Sequence, residues 1–419
     1  MRAVRFRLAL CCVAVAATAV SAPLAAPGDL VSRLTSSLRA PSVSLGHTSA
    51  IAVDASTGTV LFAHNATRPY IPASTMKLLT STAALSILGP EHRFKTSVVS
   101  SRAGRIILVG GGDPYLAKTG AARVPKRASI TDLAQDAAQS LKKHKIKKVR
   151  LGYDASLFRG PAWNRTWPTS YGDQVTPTSA LWVDEGRVNG GSPGPRVNNP
   201  SRQATEVFAA SLRRHGIAVT ITGSERAKAS ATVIASVSSM PLERIVERLL
   251  MVSDNDAAEV VFRQAAIGAG KKGSIADATK VVRARLIKLG IWDAGTKIND
   301  GSGLARQTKV PADTMVKLLR AAAEDKHPGL RAILTGLPVA GVEGSLRSRY
   351  FDDQTLAARG LVRGKTGTLR EVHTLAGFVR SRDGSLLAFA FLINDPKNEF
   401  GARVWLDRVT AAISTCGCR

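Results

Sequence analysis

Cysteine is scarce: there are four in 419 residues, and Cys11 and Cys12 fall in the first apolar run. Only Cys416 and Cys418 remain, free to pair with each other or to stay apart, so a disulfide framework is excluded even for an oxidising compartment. Acidic residues are outnumbered, 31 Asp and Glu against 58 Lys and Arg, for a formal net charge of +27. Aromatic residues make up only 5%. With no zinc-finger spacing, no RNA-binding signature and no interleaved aromatic-basic run, the charge does not point to nucleic acid. No His, Cys and carboxylate cluster stands at ligand spacing, so neither a metal nor another cofactor is expected. Beyond the N-terminus no stretch reaches the roughly 18 apolar residues of a membrane span.

What is present begins with a basic segment at 1–7, an apolar run at 8–20 and Val20-Ser21-Ala22 before Pro23. This reads as an export signal over 1–22, cleaved after Ala22, with an uncleaved anchor as the alternative. It places the mature chain in the periplasm, at the cell wall or outside the cell. There a cationic protein meets anionic wall polymers and lipid head groups, and its charge suits solubility and loose adhesion to them. With 44% hydrophobic residues over this length, the chain has room for two domains.

The stretch Pro72-Ala73-Ser74-Thr75-Met76-Lys77 opens a helix. Pro72 suits the entrance, and Leu78, Leu79, Ala83, Leu85 and Leu88 form an apolar stripe behind it. Ser74 and Lys77, three residues apart, share one face. Ahead of them, runs at 49–54 and 60–64 flank Ala55-Ser56-Thr57-Gly58, a hairpin pattern. From 93 the character changes to short strands, a basic helix at 129–147 with Ser129 as N-cap, a Trp163/Trp167 loop, a helix near 204–215 and a strand pair at 218–221 and 232–237. Helical periodicity returns at 241–251, breaks at Ser253-Asp254-Asn255 and resumes through 257–266, so Ser253 projects from an inter-helix turn. A helix at 311–323, an edge-like strand opening at Lys365, apolar strands at 373–379 and 386–394 and a helix at 400–413 close the chain. The fold expected is α/β of the α+β kind, with a central antiparallel five-stranded sheet flanked by helices. Residues 29–92 and 239–419 make that domain, and 93–238 a smaller inserted domain of mixed structure.

A serine hydroxyl held beside a lysine is a nucleophile beside its base, provided the amine is neutral at working pH. Bringing a lysine from about 10.4 to about 7.5 costs roughly 4 kcal/mol, which burial and a second cation must supply. Each motif alone is weak. Ser140 with Lys143 repeats the serine–lysine spacing on the basic helix, and Lys118-Thr119-Gly120 repeats the Lys-Thr-Gly tripeptide without a following strand pair; both are set aside. The ordered set of Ser74 with Lys77, Ser253 with Asn255, and Lys365-Thr366-Gly367-Thr368, in helix, turn and strand, is specific. In it Ser74 attacks a carbonyl with Lys77 as base, Ser253 relays a proton to the leaving amine, and Asn255 holds a substrate amide. Lys365, with the Thr366 and Thr368 hydroxyls, receives a substrate carboxylate and is the second cation that helps keep Lys77 neutral. Backbone N–H groups of Ser74 and Thr368 suit an oxyanion hole. Of the seven histidines only His373 falls near these elements, and its alternating strand makes it structural.

At these residues the chain resembles the class C low-molecular-mass penicillin-binding proteins, the D-alanyl-D-alanine carboxypeptidase/endopeptidase family. The resemblance extends to Gly111-Gly112-Asp113-Pro114, Asp300-Gly301-Ser302-Gly303-Leu304 and Leu337-Pro338-Val339-Ala340-Gly341. It implies a serine-type DD-peptidase acylated at Ser74 by the D-Ala-D-Ala end of a peptidoglycan stem peptide, which releases D-alanine and hydrolyses the ester. It further implies D-alanyl cross-links as substrates and β-lactam antibiotics as covalent inhibitors. The interval from Ser74 to Ser253 is shorter than in members with two nested extra domains, so the second is expected to be reduced or absent. Two alternatives make different demands. A serine β-lactamase needs a deacylating base, and Glu185-Gly186-Arg187-Val188-Asn189 offers a Glu and an Asn, but ahead of Ser253 and inside the insertion. A non-catalytic wall or polyanion binder has no need of a matched nucleophile and base.

Overall fold

The structure, a computed structural model, describes residues 27–120 and 126–415; the export signal, Cys416 and Cys418 lie outside the described residues. The first elements are helix α1 (Pro27–Ser37), strands β1 (Thr48–Asp54), β2 (Val60–His64) and β3 (Pro69–Tyr70), and helix α2 (Met76–Leu88). Then come β4 (Lys95–Arg102), β5 (Arg105–Val109), α3 (Ile130–Lys143), β6 (Lys148–Asp154), α4 (Pro200–Arg214), β7 (Ala218–Ser224) and β8 (Thr232–Ser238). Helices α5 (Leu242–Met251), α6 (Asn255–Gly268) and α7 (Ile275–Lys288) precede β9 (Val310–Pro311), α8 (Ala312–Ala323) and α9 (Ala332–Thr335). The chain ends in β10 (Val362–Leu369), β11 (Val372–Arg380), β12 (Leu386–Asn394) and α10 (Glu399–Ser414).

Strands from the two ends of the chain form one antiparallel sheet in the order β10-β11-β12-β1-β2. β11 and β12 are nearly continuous apolar runs because helices cover both faces of the sheet. Alternate residues serve alternate sides. Ala376, Phe378, Ala388, Ala390 and Leu392 meet the layer containing α2, α5, α6 and α8, whereas Leu375, Val379, Phe389, Phe391 and Ile393 meet α1 and α10. Within the first layer α2 is buried from Met76 through Leu85. A helix enclosed in this way removes any polar side chain it carries from water, and one of its residues is Lys77.

A second five-stranded sheet runs β7-β6-β5-β4-β8 and has its own core with α3 and α4, built on Leu133, Ala137, Leu141, Ala204, Phe208 and Leu212. The expected pairing of 218–221 with 232–237 is corrected here: β7 and β8 lie at opposite edges. Helices α3 and α4 act as crossovers that bring the chain back parallel, so β5, β6 and β7 stack in one direction. The seven residues between β7 and β8 can reach roughly 23–25 Å when extended, enough to cross four strand spacings of about 4.8 Å and pair β8 with β4.

The stretch 155–200, from the end of β6 to the first residue of α4, leaves this sheet and runs back over α6. Asn164 Nδ2 donates to Asn299 O at 2.8 Å, Trp167 Nε1 to Asp300 Oδ2 at 2.9 Å, and Thr176 N to Asp256 Oδ1 at 2.7 Å. Arg263 of α6, buried, donates to the carbonyls of Arg159 and Pro161. This stretch thereby walls the cleft described next.

Candidate active site

Ser74 sits on the 3₁₀ turn Ala73–Thr75 that feeds α2. Ala73 has φ +47°, an uncommon value for a residue with a Cβ. The turn is held by two hydroxyls, Thr75 and Thr374, which donate to Pro72 O at 2.6 and 2.8 Å. Two glycines let its neighbours close in. A Cβ on Gly303 would stand 1.9 Å from Ala73 O, and one on Gly367 would stand 2.8 Å from Pro72 O and 3.0 Å from Ser74 N. Edge strand β10 thus passes directly beside the Ser74 amide.

Lys77 is fully buried. Its Nζ lies 2.9 Å from Ser74 Oγ, 2.7 Å from Asn255 Oδ1 and 2.8 Å from Ser302 O. The last two atoms can only accept, whereas the hydroxyl can do either. A neutral amine gives its two N–H groups to Asn255 and Ser302 and turns its lone pair to Ser74. Burial pushes Lys77 down to about 8, against the pull of Asp300, Asp254, Glu259 and Asp256. Lys365 Nζ donates to Ser253 Oγ and to Thr366 O, both at 2.8 Å. Lys365 is itself held well below the ordinary lysine value, first by burial and then by Lys77. Burial is thus the first cause of the low Lys77 value, and the mutual repulsion of two neighbouring ammonium groups, expected from Lys365, acts on the pair.

Ser253 occupies the turn between α5 and α6 with φ +57°. Asp254 caps α6 by accepting from Ala257 N at 3.0 Å. Asn255 gives its oxygen to Lys77 and an N–H to Gln174 O at 3.0 Å, leaving one amide N–H for a substrate carbonyl. Thr366 Oγ1 lies 2.7 Å from the hydroxyl of Ser345. Ser74, Ser253, Asn255, Thr366 and Thr368 line a cleft of about 720 Å³, which Tyr171 and Gln174 border from the 155–200 stretch. Lys77 and Lys365 reach it through their bonds to Ser74 and Ser253, and Gly367 is turned toward Pro72 and Thr374.

Several residues here escape sequence reasoning. Arg187 Nη2 donates to Asp254 Oδ2 at 2.8 Å and to Asp256 Oδ2 at 3.3 Å, and Arg196 Nη2 to Asp256 Oδ2 at 3.4 Å. Burial, with Asp254 nearby, lifts Asp256 to about 6 against Arg196 and Arg187. Glu259 Oε1 accepts from Gly301 N at 2.9 Å and Ser302 N at 2.7 Å. Burial and then Asp300 raise Glu259 to about 8. Asp300 accepts from Gly303 N at 3.0 Å and Ala305 N at 2.7 Å, so this loop presents Ser302 O to Lys77. The Asp300-Gly301-Ser302-Gly303 pattern was its one signal; no spacing links Arg187 to Asp254. His373 is buried in β11, 3.4 Å from Glu399. Among the described residues no group of three or more His, Cys, Asp or Glu could hold a metal, and no helix is long and apolar enough to cross a membrane.

A family model described as the D-Ala-D-Ala carboxypeptidase 3 (S13) family matches residues 30–193 and 189–412. The chain is similar to carboxypeptidase DacB of Mycolicibacterium smegmatis, 32% identical over 414 residues covering 95% of this chain and 86% of the relative. It is also similar to the D-alanyl-D-alanine carboxypeptidase of Actinomadura sp. strain R39, 28% identical over 436 residues, 82% of this chain and 77% of the relative. Among solved structures, penicillin binding protein 4 of Haemophilus influenzae matches with a TM-score of 0.73 and 23% identity, over 90% of this chain and 97% of its own. Bd3459, a predatory peptidoglycan endopeptidase of Bdellovibrio bacteriovorus, matches with a TM-score of 0.56 and 19% identity, over 88% and 92%. These two share the fold.

Proposed function

The chain belongs to the D-Ala-D-Ala carboxypeptidase 3 (S13) family and is a serine DD-peptidase; from that premise we propose that Ser74 is the nucleophile and Lys77 its base. One observation carries the assignment: a buried amine 2.9 Å from the Ser74 hydroxyl, with its other two neighbours able only to accept.

Neutral Lys77 takes the hydroxyl proton as Ser74 Oγ bonds to the carbonyl carbon of the penultimate D-alanine of a peptidoglycan stem peptide. Backbone N–H groups of Ser74 and Thr368 meet the oxyanion, each such donor contributing about 3 kcal/mol. The C–N bond breaks as the leaving amine receives the proton from Lys77 by way of Ser253, and D-alanine departs. Water, giving its proton to Lys77, then attacks the ester carbonyl, and the bond from Ser74 Oγ to the acyl carbon breaks as Lys77 returns that proton to Ser74 Oγ. Thr366 and Thr368, with Lys365 behind them, receive the substrate's terminal carboxylate, whose charge favours the protonated form of Lys365. Gly367 lets β10 come close enough for this. A β-lactam enters the same cycle and stops at the acyl-enzyme.

In this reading segments 29–92 and 239–419 form the catalytic unit, and 93–238 an inserted domain whose 155–200 stretch completes the cleft wall. D-alanyl cross-links are further substrates. The enzyme works outside the cytoplasmic membrane, exported by its N-terminal segment, and adheres to anionic wall polymers by charge. The test is labelling of the purified protein with a fluorescent penicillin, followed by intact mass over time. A stable adduct on the wild type, absent from Ser74→Ala and strongly slowed in Lys77→Ala, is expected. An adduct that persists in Ser74→Ala would overturn the assignment, and rapid drug turnover would move it to a β-lactamase.

A further inference from the structure

Two stretches outside the catalytic set, Lys118-Thr119-Gly120 and Glu185-Gly186-Arg187, meet in space. Lys118, Glu185 and Arg187 line a second cavity of about 340 Å³ together with Arg127, Gln203 and Arg248. Arg187 and Arg248 also border the catalytic cleft, so the two spaces share a wall.

Buried polar atoms are nearly always paired, because each one left alone costs about 1–3 kcal/mol. Here three lining atoms stand without a hydrogen-bond partner, Arg127 Nη2, Glu185 Oε1 and Gln203 Oε1, as does the hydroxyl of Tyr115 outside the lining. Arg127 Nη2 comes no nearer than 3.9 Å to the carboxylates of Asp184 and Glu185. Tyr115 belongs to the same group, with the guanidinium carbons of Arg127 and Arg248 over its ring at 5.4 and 5.2 Å. The backbone is arranged to match. Asp184, Glu185 and Gly186 take φ of +47°, +54° and +67° in succession, a conformation that costs of order 1–3 kcal/mol per non-glycine residue. It leaves Glu185 only 4% exposed. Thr176 Oγ1 holds the turn by donating to Glu185 O at 2.6 Å.

We propose that this cavity binds a small zwitterion of the amino-acid class, its carboxylate on Arg127 and Lys118 and its ammonium on Glu185 and Gln203. The unpaired donors and acceptors require opposite ends in one ligand. An anion alone leaves Gln203 Oε1 bare, and Glu185 Oε1 as well whenever its carboxyl is ionised. A cation alone leaves Arg127 bare and faces Lys118, Arg187 and Arg248. Burial and Asp254 push the Glu185 carboxyl up to about 8 against Arg187 and Arg127; a bound ammonium adds a further positive charge beside it and favours the carboxylate. Occupancy is felt in the catalytic cleft through Arg187, which holds Asp254 and Asp256 beside Ser253.

The test is titration calorimetry of the full chain with D-alanine, acetate and ethylamine, repeated on Gln203→Leu, Arg127→Met and the cleft variant Thr368→Val, each checked for folding by circular dichroism. D-alanine is expected to bind the wild type and Thr368→Val alike, with acetate and ethylamine far weaker. Gln203→Leu, at a half-buried helix position, should weaken D-alanine by about tenfold or more. No binding of D-alanine, binding untouched by Gln203→Leu and Arg127→Met, binding lost in Thr368→Val, or acetate as tight as D-alanine would each overturn the proposal.

Discussion

Lys77 shows how one side chain is tuned by what encloses it. The ammonium form is penalised by burial and favoured by four carboxylates, and burial prevails only far enough to bring it to about 8. The shift is downward, so the amine is mostly protonated below that value and mostly neutral above it. The rate of acylation by a fluorescent penicillin should therefore rise with pH along a limb centred near 8. Stopped-flow labelling would show it, and a rate flat across that range would remove Lys77 from the role of base. The pairing itself was legible, since i and i+3 share a helix face. The source of the shift was not, because burial of α2 depends on α5 through α8, which lie far along the chain.

The turn between α5 and α6 is the element on which the second and third motifs converge. Ser253 accepts from Lys365 and Asn255 from Lys77, while Arg187 from the 155–200 stretch grips Asp254 and Asp256 from outside. Both of these carboxylate side chains are fully buried. Breaking a buried pair by removing one partner typically costs about 3–5 kcal/mol. Arg187→Met should lower urea stability by that order and slow acylation, with Arg187→Lys in between because an ammonium keeps the charge but lacks the Nε–H that also reaches Asp256. Wild-type stability and acylation in Arg187→Met would show that the turn holds itself. Periodicity marked the break between these helices correctly, since Ser-Asp-Asn interrupts an apolar stripe. It could not reveal the clamp, which joins residues nearly seventy apart through a stretch with no regular pattern. The misplacement of β7 beside β8 has the same origin: adjacency in sequence suggests a hairpin, but the crossover helices set strand direction.

Over the whole molecule the dominant feature is the charge of +27, of which Arg2, Arg5 and Arg7 carry three. Adhesion by such a field is long-range and screened, whereas acylation depends on buried contacts that salt barely reaches. Retention on an immobilised anionic wall polymer should fall steeply with added salt, while the penicillin labelling rate at Ser74 stays nearly constant. Retention indifferent to salt would mean specific recognition in place of charge.

The sequence alone determined the local chemistry: a serine and lysine on one helix turn, a serine and asparagine at a helix break, a Lys-Thr-Gly-Thr strand, and apolar runs that had to lie in a doubly covered sheet. Those features follow from periodicity and residue type, which are properties of short stretches. The order of the motifs along the chain had already set the other copies aside; the tertiary structure adds where they lie. Ser140 and Lys143 stay on α3, in the second sheet's layer, and Lys118 lines a different cavity, because neither lies where α2, the α5–α6 turn and β10 converge. The tertiary structure also decided that the 155–200 stretch walls the cleft and that Glu185 faces a second cavity beside it. Both depend on where buried polar groups end up across the chain, with a partner as at Asp256 or without one as at Glu185 Oε1, which no single stretch can express.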